Sequence, residues 1–152
     1  MEIYLVRHGS AAAGADDAAR ALSEEGRKSV RRVADRLRGS AIHVDRIEHS
    51  PLRRAAETAE IFGEALGASL REVPDLIPGS DIAPVRDRLE GERPASVMLV
   101  GHNPFMESMA ALLLTGDPEP RVLTFHTAGV AHVAPSGSRY SCDWLLSPLT
   151  AG

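Results

Sequence analysis

Glu2-Ile3-Tyr4-Leu5-Val6-Arg7-His8-Gly9 opens the chain and decides how the rest is read. Glu2 to Val6 is a short, mostly apolar run of strand length, closed by a loop containing Gly9. Such a run reads as a buried strand. Ser96-Val97-Met98-Leu99-Val100-Gly101-His102-Asn103-Pro104 has the same form: a buried strand, then glycine and histidine where the strand gives out.

The segments between these two runs alternate. Ser23 can cap a helix, and Glu24 and Glu25 suit its positive end. Val30, Val33, Ala34 and Leu37 recur at helical spacing, so the helix runs to Arg38 and stops at Gly39. Val44 to Ser50 reads as a second strand. Ser50-Pro51 predicts a helix start, with a capping hydroxyl and a proline at the first helical position. Ala55, Ala59, Phe62 and Leu66 line one face of that helix. Ser69 to Val73 reads as a third strand, Pro74 to Pro84 as a loop, and Val85 to Leu89 as a short helix. Asn103 and Pro104 predict the cap and start of a further helix reaching Leu114. Val122 to Phe125, Val130 to Ala134 and Tyr140 to Leu145 read as strands, the last two joined by a turn at Pro135-Ser136-Gly137-Ser138. Strand–helix alternation implies an α/β fold: a three-layer sandwich, its sheet mostly parallel, with helices on both faces.

The 152 residues suit a single domain, expected to span 1–152. Hydrophobic residues at 43% and charged residues at 25% are ordinary for a globular protein, which argues against disorder. No apolar run approaches the ~20 residues of a membrane span. The first apolar run is too short for a secretory signal and has no basic flank, so a cytoplasmic location is expected, with no membrane partner. A net charge of −4 argues against a nucleic-acid partner, which needs a strongly basic face. Cys142 is the lone cysteine, so neither an internal disulfide nor a Cys-rich zinc site is available; it reads as a small apolar residue.

Ligands of open α/β sheets bind beyond the carboxyl ends of the strands. Three predicted strand ends carry chemically loaded residues: Arg7-His8-Gly9, Ser50-Pro51-Leu52-Arg53-Arg54, and Gly101-His102-Asn103. Parallel strands would bring all three to one rim. Two histidines and at least two arginines facing one crevice suit a phosphoryl group, whose transfer depends mostly on positioning and charge stabilisation. Arginine offers a planar, permanently charged fork. A neutral imidazole can attack phosphorus directly. Arginines and a second histidine can carry the charge, so no metal or other cofactor is implied. His43, His49, His126 and His132 read as structural or surface residues, although His49 and His126 lie near strand ends and could line the rim.

These stretches resemble the histidine phosphatase superfamily, the phosphoglycerate-mutase-like group, and within it the short SixA-type phosphohistidine phosphatases. The resemblance rests on Met1 to Gly9, on Ser50-Pro51-Leu52-Arg53-Arg54-Ala55-Ala56-Glu57-Thr58-Ala59, on Leu99 to Pro104, and on the closing Trp144-Leu145-Leu146-Ser147-Pro148. It implies His8 as nucleophile, with Arg7, Arg54 and His102 holding the phosphoryl oxygens and Gly9, Ser50 and Asn103 contributing to substrate binding. Arg54, not Arg53, matches the family's spacing. Adjacent helical residues point ~100° apart, so only one of the two should face the pocket.

Many members also use a carboxylic acid, usually after the third strand. That stretch here offers Glu72, Asp75 and Asp81, none in a distinct motif. Departing imidazole, with a pKa near ~6.5, needs far less proton assistance than an alkoxide. The missing motif therefore favours phosphohistidine substrates, and a phosphorylated histidine-containing protein as partner. The alternatives are a broad phosphatase of small phosphorylated molecules and a non-catalytic phosphate-binding or interaction module. Intact Arg7, His8, Arg54 and His102 argue against the last.

Overall fold

The computed structural model describes residues 1–151. Its six strands are β1 (Glu2–Arg7), β2 (Arg46–His49), β3 (Ser69–Glu72), β4 (Ser96–Gly101), β5 (Val130–Ser136) and β6 (Arg139–Leu146). The helices are α1 (Glu24–Arg38), α2 (Arg53–Leu66), α3 (Ala83–Glu92) and α4 (Phe105–Thr115). The strands form one sheet in the order β3-β2-β4-β1-β5-β6. β1–β4, β2–β4 and β2–β3 pair in parallel, whereas β5 pairs antiparallel with both β1 and β6. The expected mostly parallel α/β sandwich is the observed fold.

Side chains alternate across the sheet, and each face has its own core. Tyr4 and Val6 point with Met98 and Val100 toward α1 and α2, against Val30, Val33, Ala59 and Phe62. Ile3 and Leu5 point with Val97 and Leu99 toward α3 and α4, against Val85, Leu89, Met106 and Met109. The unbroken apolar runs at the centres of β1 (Ile3 to Val6) and β4 (Val97 to Val100) are what doubly covered strands need.

Ser23 caps α1 as expected: its hydroxyl accepts the Gly26 N–H at 2.9 Å. Two other predicted caps are not caps. α2 begins at Arg53, with no side-chain cap, and the Ser50 hydroxyl accepts instead from Leu52 N at 3.2 Å. α4 begins at Phe105, and Asn103 sends its amide elsewhere. Each side chain also bonds to a distant part of the chain, Ser50 to His102 at 2.8 Å and Asn103 to the Phe125 carbonyl at 3.2 Å, which local sequence could not reveal. Val122 to Phe125 is not a strand. Its Phe125 carbonyl accepts from Arg7 at 2.9 Å and so is spent on a side chain rather than a ladder.

Helix α3 is longer than predicted and is tied down twice. Val85 and Leu89 enter the second core, and Arg88 meets the Glu48 carboxylate with both terminal nitrogens. Glu48 is fully buried on β2 and also accepts from Arg46 at 2.8 Å. A buried carboxylate needs such pairing, and loss of one partner is costly. α3 is therefore held against the sheet as part of the fold.

Candidate active site

The parallel register brings three strand ends together. Arg7 lies opposite Gly101, and the His8 N–H donates to the Gly101 carbonyl at 3.0 Å. On the other side of β4, the Ser50 N–H donates to the Val100 carbonyl at 3.0 Å. His8 and His102 thus stand side by side, their ring centroids 4.8 Å apart and their planes at 57°.

Each ring is held by one nitrogen. His8 Nδ1 lies 2.7 Å from the Gly9 carbonyl. A carbonyl can only accept, so Nδ1 carries the proton and Nε2 keeps a free lone pair. His102 Nε2 lies 2.8 Å from the Ser50 hydroxyl, and His102 Nδ1 is buried with no partner among the described residues. Gly9 is itself anchored: its N–H donates to Thr58 Oγ1 at 3.1 Å, and Thr58 donates to the Arg54 carbonyl at 2.7 Å. Only glycine fits there, because a Cβ at position 9 would lie 2.6 Å from Val30 Cγ2. Gly26 lets α1 approach in the same way, since its Cβ would fall 2.0 Å from the Ser10 carbonyl oxygen.

Arginine donors surround the pair. Arg7 is oriented by its bond to the Phe125 carbonyl and leaves its Nε buried without a partner among the described residues. Buried donors left unpaired are expensive, and an incoming oxyanion would satisfy them. The Arg54 side chain is 8% exposed and that of Arg53 59%, so the helix turns Arg54 inward and leaves Arg53 beside Glu57 at the surface. Arg54 donates to the Asp17 backbone carbonyl at 2.9 Å and to its carboxylate at 3.3 Å.

Asp17 was not singled out by sequence. It follows β1 in the Ser10–Leu22 loop, and only the folding back of that loop sets it over α2. The one available signal was a pair of acidic residues, Asp16 and Asp17, in the loop after the first histidine. The hydrogen bond from Arg20, then the nearby Arg54 charge, holds the Asp17 carboxyl below its ordinary value. Thr58 and Phe125 were also missed as site residues, since each acts through a backbone contact that pattern does not show.

The other candidates separate clearly. The Asn103 amide nitrogen donates to Glu107 at 3.0 Å and to the Phe125 carbonyl at 3.2 Å, so its side chain offers a ligand only an acceptor. Glu72, Asp75 and Asp81 are exposed, and Asp81 caps α3 through the Ala83 N–H at 3.0 Å. None of the three bonds to Arg7, His8, Arg54 or His102. His49 is buried with Nδ1 2.9 Å from the Ser50 carbonyl, and His126 is exposed. His43 pairs with Asp45, and His132 lies between Glu2 and Asp143. Cys142 on β6 donates to the Trp144 carbonyl, away from the strand ends.

The family model of the histidine phosphatase superfamily (branch 1) matches residues 3–77. The phosphohistidine phosphatase SixA of Escherichia coli K12 is 32% identical, the match covering 97% of this chain and 94% of that protein. The chain belongs to the histidine phosphatase superfamily. Within the histidine phosphatases, a solved structure of the protein histidine phosphatase SixA complexed with tungstate superposes with a TM-score of 0.87 at 31% identity, over 98% of both chains. An uncharacterized protein of Picosynechococcus is 36% identical over 76% of this chain and 74% of its own.

The charge states of the two rings follow from their surroundings. Burial lowers the His8 pKa to about 4, helped by Arg54, Arg7 and Arg20 and opposed by the Gly9 hydrogen bond. Burial, then His8 and Arg54, lowers that of His102 to about 3. Unfolding returns both to ~6.5, so the unfolded chain binds more protons below that pH, and stability falls as pH drops from there toward 4. Both rings are expected to stay neutral by NMR titration from ~pH 8 down to ~pH 5, where a free imidazole is mostly protonated. A midpoint near the ordinary value in either ring would contradict the enclosed, cation-flanked site described above.

Proposed function

We propose that this protein is a cytoplasmic phosphohistidine phosphatase that takes the phosphoryl group from a histidine of another protein onto its own His8. The observation that carries the reading is the pairing of a free His8 Nε2 lone pair with donors from Arg7, Arg54 and His102 at one rim. The end-to-end likeness to SixA supports the substrate class.

In the first step the His8 Nε2 lone pair forms a bond to phosphorus as the substrate's N–P bond breaks. The departing imidazole takes its proton from water. In the second step water attacks the phosphorus of phospho-His8, the new N–P bond breaks, and orthophosphate leaves with His8 restored. Arg7, Arg54 and His102 act on the non-bridging oxygens in both steps. Their charge and donors are fixed before the substrate arrives, so little reorganisation is needed. The arginines and the neutral histidine supply this stabilisation through the protein's own groups.

Access also favours a protein substrate. Small-molecule enzymes often close a lid over the reacting group. Here the segment between β3 and β4, where a lid could be inserted, is short and contains α3, held to the sheet by its apolar face and by the Arg88–Glu48 pair. A phosphohistidine carried on a neighbouring protein could approach the rim without a covering segment having to move.

The test is a comparison of kcat/KM for a phosphohistidine-containing phosphotransfer protein and for small phosphoesters at equal enzyme concentration. The phosphohistidine protein is expected to be preferred. Glu72→Ala, Asp75→Ala and Asp81→Ala are each expected to leave that activity within a few-fold, well short of the ~10²–10⁴-fold contribution of a needed general acid. Preference for a small phosphoester would replace the proposed substrate with a small molecule. Collapse of phosphohistidine activity in one carboxylate variant, with folding intact, would identify an acid step that the leaving-group argument omits.

A further inference from the structure

We propose that Ser50 is a positioning residue whose hydroxyl donates to His102 Nε2 and thereby fixes His102 as the neutral tautomer with its proton on Nδ1. The inference deepens the phosphatase reading and rests on it for the role of His102.

The argument begins with what the Ser50 hydroxyl can do. Ser50 is fully buried on the loop between β2 and α2. Its oxygen accepts the Leu52 N–H at 3.2 Å and lies 2.8 Å from His102 Nε2. No other hydrogen-bond partner of the hydroxyl is present among the described residues. The bond to His102 could run either way. If Nε2 carried the proton, Ser50 would accept two N–H groups, and its own buried O–H would have no acceptor. An unsatisfied buried donor is costly. If the hydroxyl donates to Nε2, every polar atom of Ser50's side chain is satisfied and only His102 Nδ1–H stays unpaired, against both the Ser50 O–H and the Nδ1 lone pair in the other direction.

The second direction also matches what His102 must offer. With Nε2 accepting, the proton sits on Nδ1, the buried ring nitrogen that has no partner among the described residues. An N–H there can donate to a phosphoryl oxygen, whereas a bare lone pair would repel it. His8 and His102 would then be the same tautomer held at opposite nitrogens. His8 is held through Nδ1–H on the Gly9 carbonyl and exposes a lone pair for attack. His102 is held through Nε2 on Ser50 and keeps at Nδ1 a buried donor with no partner among the described residues. His8 is part-buried and His102 buried, their rings 4.8 Å apart, and the holding partner is the feature that separates their tasks.

Long-range proton–nitrogen NMR correlation on histidine-labelled protein reads the tautomer directly. In the wild-type protein at neutral pH, His102 is expected as the Nδ1–H tautomer. In Ser50→Ala it is expected to shift toward Nε2–H, with tungstate binding weakened and turnover reduced roughly 10–100-fold, the scale of losing the outer partner of a functional histidine. An Nε2–H His102 in the wild type overturns the inference. So does a Ser50→Ala protein that keeps the Nδ1–H tautomer, whether or not its turnover falls. These outcomes are separate from failure of the phosphatase reading, which would appear as wild-type protein inactive on every phosphorylated substrate while its His102 tautomer remains measurable.

Discussion

His8→Ala is expected to trap no phosphoenzyme. Wild-type protein quenched during turnover of a labelled phosphohistidine donor should carry an acid-labile, base-stable label, and the variant should carry none. The chemistry leaves no substitute at the same place. His102, the neighbouring imidazole, has one nitrogen against Ser50, and its other nitrogen is enclosed, at 2% overall exposure of the residue. The only cysteine, Cys142, lies on β6, and its thiol pKa is raised by burial and by Asp143, so it holds little nucleophilic thiolate. Turnover is expected to fall on the order of 10⁶-fold, as when a nucleophile is deleted. The loop itself should survive, because Gly9 remains tied to Thr58 and the backbone N–H of residue 8 to Gly101. A melting curve close to wild type would show this. Persistent labelling of the variant would move the nucleophile to another residue.

Arg54→Ala and Arg53→Ala should differ by orders of magnitude despite being neighbours. Loss of Arg54 removes a buried guanidinium from the rim and is expected to cost roughly 10²–10³-fold in kcat, the scale of a deleted oxyanion donor. Arg53 loses only an exposed, longer-range pairing with Glu57 at 3.6 Å, of the kind worth little in water. Its variant should stay within a few-fold of wild type. Steady-state kinetics on a phosphohistidine protein would settle the order, and a larger loss at Arg53 would contradict the inward orientation of Arg54. Arg54 also carries a second duty that its neighbour lacks. Asp17 sits on its guanidinium, and an arriving phosphoryl group must share or replace that carboxylate, so Arg54→Lys is not expected to restore full activity: a point ammonium cannot hold both partners in the planar fork.

Much of this was legible in the chain alone. The unbroken apolar runs of Ile3–Val6 and Val97–Val100 could be satisfied only by burial on both faces, and that requirement, with alternating helices, dictates a mostly parallel sheet. The same logic put Arg7-His8, Ser50 and His102 at strand ends and hence on one rim, and the ~100° helical step required that only one of Arg53 and Arg54 face the pocket, the family resemblance choosing Arg54. These features depend on local period and on the polarity of parallel strands, both of which are written in residue order. What the tertiary structure decided is where the polar side chains point once two strand ends meet. Ser50 and Asn103 have the residue types and positions of helix caps, yet each finds a partner on a distant element, 52 residues away for Ser50 and 22 for the Phe125 carbonyl that Asn103 meets. Asp17 reaches Arg54 only because its loop folds back across α2. A hydrogen bond depends on a few tenths of an ångström and an angle, whereas burial needs only the right face, so sequence periodicity settles the second and packing alone settles the first.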